Sequence, residues 1–143
     1  MGINKFNSEG YYDPTAYEAL SAINKEERAA ARPFRPLVYI CSPFSGDMKR
    51  NAAKARRYSR HAVDTGYIPL TPHLLFPQFL DDTDPEERSL GLFFGNVLMD
   101  KCSEVWVFGG TVSKGMAAEI ARAKRKHIPL RYFTEDLKEE SRP

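Results

Sequence analysis

Three stretches of the chain carry residue types that chemistry needs, and each follows a short apolar run. The first is CSPFSGD, residues 41–47. Ser42, Ser45 and Gly46 are small or flexible, and a helical pattern begins just beyond them. Backbone N–H groups at a helix start can hold an anion, helped by the helix dipole. The stretch has neither the GK[ST] of a Walker loop nor a GxGxxG fingerprint. Contact with phosphate or sugar therefore stands beside a plain capped turn with Asp47 as N-cap. The second is TPHLLFPQFLDDTDPEER, residues 71–88, with His73 near its start. Leu74, Leu75, Phe76, Phe79 and Leu80 are too apolar for a solvated loop, so this segment must lie on a core edge, a ligand or a neighbour. Asp81, Asp82 and Asp84 lack the ligand spacing and glycine of a calcium loop and read as capping acids ahead of Pro85. The third is FGGTVSKGMAAEIARA, residues 108–123. Gly109, Gly110, Ser113 and Gly115 make a small-residue mouth that lets a ligand approach the backbone, and Glu119 falls just over one turn beyond Gly115. A carboxylate so placed points at the strand ends, where it could attack a carbon or handle a proton. The alternative is an acid that only favours the helix dipole.

These stretches need a frame, and the apolar pattern supplies one. Leu37–Cys41 (LVYIC) reads as a buried strand bounded by prolines. Asn51–Thr65 reads as a helix with Ala52, Ala55, Ser59, Ala62 and Val63 on one face, stopped by Gly66. Tyr67–Thr71 reads as a strand at or near an edge, since Pro69 cannot donate to a ladder. After a long loop come a helix from Pro85 to Cys102, a strand at Glu104–Phe108, a helix at Gly115–Lys126 burying Met116, Ile120 and Ala123, and a strand at Ile128–Phe133. Alternation of this kind predicts an α/β fold: a small doubly wound, Rossmann- or flavodoxin-like parallel sheet with helices on both faces. Ligands of such sheets sit outside the carboxyl ends of the strands, where all three stretches fall.

Ahead of this frame, residues 1–34 are polar and charged. A helix is expected over Pro14–Ala31, with Asp13 as N-cap and Ala16, Leu20 and Ile23 as its apolar stripe. Pro33 and Pro36 end it. This arm is expected to pack on the body or on a neighbouring subunit. Residues 35–133 form the expected domain, and residues 134–143 a charged, frayed tail.

The chain has 143 residues, which is room for one domain with a real core. Its 42% hydrophobic and 28% charged residues exclude wholesale disorder. A net charge of +2 is too mild to imply nucleic acid, and Trp106 and the phenylalanines read as core and lid rather than as a stacking platform. Lys49, Arg50, Lys54, Arg56, Arg57 and Arg60 could steer a phosphate or simply form a solvated face. No apolar run is long enough for a membrane span. Cys41 and Cys102 sit in apolar surroundings with no metal spacing, and the first residues carry no apolar signal segment; both set a cytoplasmic expectation.

LVYICSPFSGD together with DKCSEVWVFGGTVSKGMAAEIARAKRKHIPLRYF resembles the nucleoside 2-deoxyribosyltransferase superfamily, which includes deoxyribosyltransferases and nucleoside 5′-monophosphate N-glycosidases. The similarity spans roughly residues 36–133 and is strongest at the Ser113, Gly115, Glu119 spacing. The PHLLFPQFLDD loop marks a little-characterised branch. The resemblance implies Glu119 as the nucleophile at the anomeric carbon and Tyr39 as the residue that positions it or the sugar. It implies a phosphate contact at Ser113, and sugar or phosphate contacts at Ser42, Ser45 and Gly46. The superfamily's general-acid aspartate falls near Asn96, which cannot deliver a proton. Asp100 one turn on, His73 and the Asp81–Asp82 pair are the other candidates for that task.

The expected activity is N-glycosidic bond cleavage, or base exchange, on a nucleoside or nucleoside 5′-monophosphate, with no cofactor and no metal. The alternative is a non-catalytic nucleotide-binding or sensor module on the same fold. A weaker similarity of the FGG…E stretch to the phosphoribohydrolases of the lysine-decarboxylase-like group lacks that group's Pro and has longer spacing. The apolar loop and the arm together predict a homo-oligomer.

Overall fold

The computed structural model describes residues 14–30 and 32–142, so Asp13 and Ala31 of the expected first helix lie outside the described residues. These residues fall into two units that divide between Phe34 and Arg35. The first contains α1 (Pro14–Ala30). Of its expected apolar stripe, Leu20 and Ile23 are exposed.

The second unit is an α/β layer structure. Its elements are β1 (Leu37–Cys41), α2 (Met48–Asp64), β2 (Ile68–Leu70), α3 (Pro72–Leu75), a 3₁₀ turn (Phe76–Gln78), α4 (Pro85–Met99), β3 (Glu104–Phe108), α5 (Lys114–Arg125), β4 (Leu130–Phe133) and β5 (Glu139–Glu140). The strand order is β2-β1-β3-β4-β5, with the first four parallel and β5 antiparallel to β4. The β2 strand is at an edge, as Pro69 requires.

Period-two alternation divides the core between the two faces of the sheet. Val38, Ile40, Trp106, Phe108 and Phe133 meet Tyr58 and Ala62 of α2 on one face. Tyr39, Cys41, Val105 and Val107 meet Met99 of α4 and Met116 and Ala123 of α5 on the other. Both central strands are buried on both sides, which is why they read as unbroken apolar runs.

Two segments differ from expectation. The stretch after β2 is largely helical rather than a loop, because Pro72 and Pro77 suit helix first turns and the apolar side chains between them turn inward in part. The tail is not frayed over its described residues. Arg131 grips Glu139 through two hydrogen bonds of 2.6 and 3.1 Å, and Leu137 packs against the core beside Trp106 and Phe133. Arg142 donates to the Gly109 carbonyl at 2.7 Å.

Candidate active site

The chain leaves β1 toward β2 on one side and β3 toward β4 on the other. The crevice outside the carboxyl ends of β1 and β3 is thus the topological switch point. The β1–α2 loop and the β3–α5 loop border it.

The β3–α5 loop turns on Gly109, whose φ of +96° few other residues adopt. Ser113 then caps α5: its hydroxyl accepts from the Met116 N–H at 3.2 Å. Met116, fully buried, seats the first turn of the helix on β1. Glu119 follows one turn below that seat and turns toward the sheet. It is only partly exposed, and its carboxylate accepts a hydrogen bond from the Tyr39 hydroxyl. Burial pushes the Glu119 carboxyl up to about 7, and the Tyr39 hydrogen bond pulls it partway back. Burial and the adjacent Glu119 charge hold the Tyr39 phenol far above its ordinary range, so Tyr39 remains a proton donor in this pair. The same two causes raise the Cys41 thiol and keep it neutral.

Tyr39 is confined from a third side. A Cβ added at Gly95 in α4 would stand 3.5 Å from the Tyr39 hydroxyl and 3.9 Å from Pro72. Pro72 and His73 therefore lie on the same side of the crevice as the Tyr39–Glu119 pair. His73 is held by Ser42, with 3.1 Å between Nε2 and the hydroxyl oxygen, and its ring tilts against Phe44 at 5.7 Å. Burial lowers the imidazole to about 4, so it is neutral at pH 7. The loop that carries Phe44 and Ser45 is tied back by Asn51, whose amide donates to both of their carbonyls at 3.3 and 2.9 Å. Gly46 makes the turn at φ +95°, and Asp47 caps α2. The plain capped turn is thus present, with Ser45 and Gly46 exposed beside it.

A cavity of ≈ 440 Å³ opens beside these loops on the α2 side of β3. Pro43, Gly109 and Gly110 line it, and Lys54 and Glu135 pair across it at 2.6 Å. Neither Glu119 nor Tyr39 reaches it; the two features share the β1 and β3 loops. Its size suits a small-molecule ligand.

The remaining candidates divide. Asn96 adjoins Gly95 and is partly buried. Asp100 stands elsewhere than a general acid should. It caps the C-terminus of α4, just ahead of the amino end of β3, and both its oxygens are taken by Arg122 at 3.1 and 3.0 Å. Gly115 is exposed in the first turn of α5 with open space around it. Asp81 turns onto Thr83, and Asp84 caps α4. Of the basic cluster, Lys54 pairs with Glu135 and Arg60 with Asp64. Sequence reasoning passed over Gly95, Pro72 and Asn51. Gly95 in an apolar helix was the available sign, since such a glycine often marks close packing.

Open α/β sheets with this switch-point arrangement form a recognisable class, and one solved structure places the chain within it more narrowly. The 2-deoxyribosyltransferase of the psychrotolerant bacterium Bacillus psychrosaccharolyticus superposes with a TM-score of 0.57 at 16% identity, covering 75% of this chain and 77% of that one. The chain thus has the fold of that enzyme. A family model described as a domain of unknown function (DUF7768) matches residues 36–133, and the chain belongs to that family. No curated protein matches it. Among the described residues, no helix is long and apolar enough to cross a membrane.

Proposed function

We propose that this protein breaks the N-glycosidic bond of a nucleoside or nucleoside 5′-monophosphate, with Glu119 as nucleophile. The observation that carries the reading is the buried Glu119–Tyr39 pair at the rim of a deoxyribosyltransferase-like sheet. A carboxylate pushed up by burial, met by one donor and placed at a switch point, has the character of a functional group rather than of a helix-dipole acid.

The Glu119 carboxylate attacks C1′ as the bond to the base nitrogen breaks. The bonding pair leaves with the base, which takes up a proton from solvent water, and a glycosyl ester remains on Glu119. Water, or a second base, then attacks C1′ and returns the carboxylate. Water gives hydrolysis; a base gives exchange. Tyr39 holds the attacking oxygen in place, and its hydrogen bond to the carboxylate is retained because the phenol does not ionise. On this reading Ser42, His73, Ser45, Gly46 and Ser113 are the groups offered to sugar, base and 5′-group, and Gly109 and Gly110 lead from them to the neighbouring cavity.

Liquid chromatography of a nucleoside and nucleotide panel tests this. Free base, or an exchanged base, is expected from at least one member, and Glu119→Gln should abolish it. No product from any member, or full turnover by Glu119→Gln, would reject the proposal. A second reading, a binding module, is favoured by one observation: Arg122 engages both oxygens of Asp100, which takes that carboxylate away from the proton-donor task. It predicts a nucleotide that raises the melting temperature and is recovered intact.

A further inference from the structure

We infer that the cavity on the α2 side of β3 binds a small phosphate ester, separately from the Glu119–Tyr39 pair. The inference does not depend on the reaction proposed above. The two places lie on opposite faces of the sheet. Phe108 and Tyr58 belong to the core layer under α2, whereas Tyr39 packs in the layer under α4 and α5. A ligand in this cavity is therefore a second occupant, not the sugar that meets Glu119.

The first observation is an unanswered phenol. Tyr58 is 1% exposed, and its ring stacks on Phe108 at 4.3 Å. A phenol so buried normally finds a hydrogen-bond partner. The Tyr58 hydroxyl has none among the described residues, and Tyr58 lines the cavity beside Glu135. Burial and the Glu135 charge hold the phenol above its ordinary range, so it remains a donor.

The second observation is that donors and acceptors are unequally engaged around this space. Four acceptors on its wall already have a donor. Glu135 has Lys54 at 2.6 Å, the Gly109 carbonyl has Arg142 at 2.7 Å, Glu140 also has Arg142, and the Thr134 hydroxyl accepts from the Lys138 N–H at 3.2 Å. Donors are left over. The N–H groups of Gly110 and Thr111 meet no acceptor among the described residues, and neither does the Tyr58 hydroxyl. Lys54 holds Glu135 below the usual carboxylate range, and Arg50 and Arg57 are close enough to add to that effect. Neither arginine has an ion pair among the described residues. Spare donors and spare positive charge select an acceptor-rich anion. The three oxygens of a phosphate monoester can serve Lys54, Tyr58 and the loop N–H groups together; a carboxylate has only two. The cavity, at ≈ 440 Å³, is larger than inorganic phosphate would fill, and Pro43 and Phe108 give it an apolar wall for the rest of the molecule. Lys54 is the movable part: its pair with Glu135 is partly exposed, so it is weakly held and can turn to the phosphate.

The test is heteronuclear NMR of the isotope-labelled full chain, titrated with ribose 5-phosphate and with ribose. Ribose 5-phosphate is expected to shift the amides of Lys54, Tyr58, Thr134 and Glu135, and to bind at least about tenfold more tightly than ribose. Ser113→Asp should leave those shifts in place. Tyr58→Phe, which keeps the ring stack on Phe108, should weaken binding about threefold or more, and Lys54→Met about tenfold or more. Glu135→Gln releases Lys54 and removes a repelling charge, so it should tighten binding, an effect that no loss of folding imitates. Shifts confined to Ser42–Asp47 and Ser113–Glu119, or lost in Ser113→Asp, would put the phosphate at the α5 cap and overturn the inference. So would an absence of shifts, equal affinity for ribose, indifference to Tyr58→Phe or Lys54→Met, or weaker binding by Glu135→Gln.

Discussion

Replacing Glu119 by Gln should uncover a pH dependence of stability that the native site cancels. In the folded chain the carboxyl titrates near 7, against an ordinary 4.5. The native state therefore binds more protons than the unfolded state across that window, and stability falls as pH rises from 4.5 to 7. A displacement of about 2.5 pH units corresponds to about 3 kcal/mol, a sizeable share of the ~5–15 kcal/mol that holds a typical domain folded. His73 works in the opposite direction. Burial lowers it from 6.5 to about 4, so its contribution rises with pH between those values. The two slopes nearly cancel between pH 4.5 and 6.5, and the native protein should show a flat profile there. Glu119→Gln keeps the shape and an acceptor for Tyr39, and it removes one slope. Its stability should rise with pH by about 3 kcal/mol from 4 to 6.5, or ~10 °C in melting temperature for a chain of this size. His73→Gln should show the converse, a fall from pH 4.5 to 7. Urea denaturation at half-unit pH steps measures all three. Parallel profiles for the native protein and Glu119→Gln would refute the claim that this carboxylate is buried and pushed up.

Four further outcomes follow from the geometry. If Glu119 attacks as a carboxylate, turnover should climb with pH to a plateau above about 7, as initial rates across the pH range would show. Ser113→Ala should cost ~1 kcal/mol by loss of the α5 cap, whereas Ser113→Asp keeps the cap but repels a 5′-phosphate; comparing melting temperature with KM for a nucleotide and its nucleoside separates the two roles. Gly95→Ala should be tolerated, because its Cβ meets Tyr39 at ordinary contact distance, whereas Gly95→Leu should displace Tyr39 and lower turnover at least a hundredfold. Asp100→Asn should reduce stability by no more than about 1 kcal/mol and leave turnover within twofold, since its partner is Arg122; a hundredfold loss would return the proton-donor role to it.

What the sequence determined alone was whatever depends on neighbours a few residues away. Runs of β-branched and aromatic residues bounded by breakers marked β1 and β3, because strands buried on both faces cannot tolerate polar residues. Pro69 marked an edge. The small-residue mouth before α5 and the carboxylate just inside it followed from spacing, and with them the alternating α/β order. Tertiary structure decided what depends on pairing across the chain. Tyr39 and Glu119 lie far apart in sequence, and nothing local dictates that one should hold the other. The contact exists because β1 lies beside β3 and α5 folds back over both. The same holds for Ser42 and His73, and for Asp100, whose local position suits a general acid until Arg122 claims it. The apolar stretch after β2 turned helical, and the tail became β5, because each found partners on a surface that exists only once the sheet has assembled.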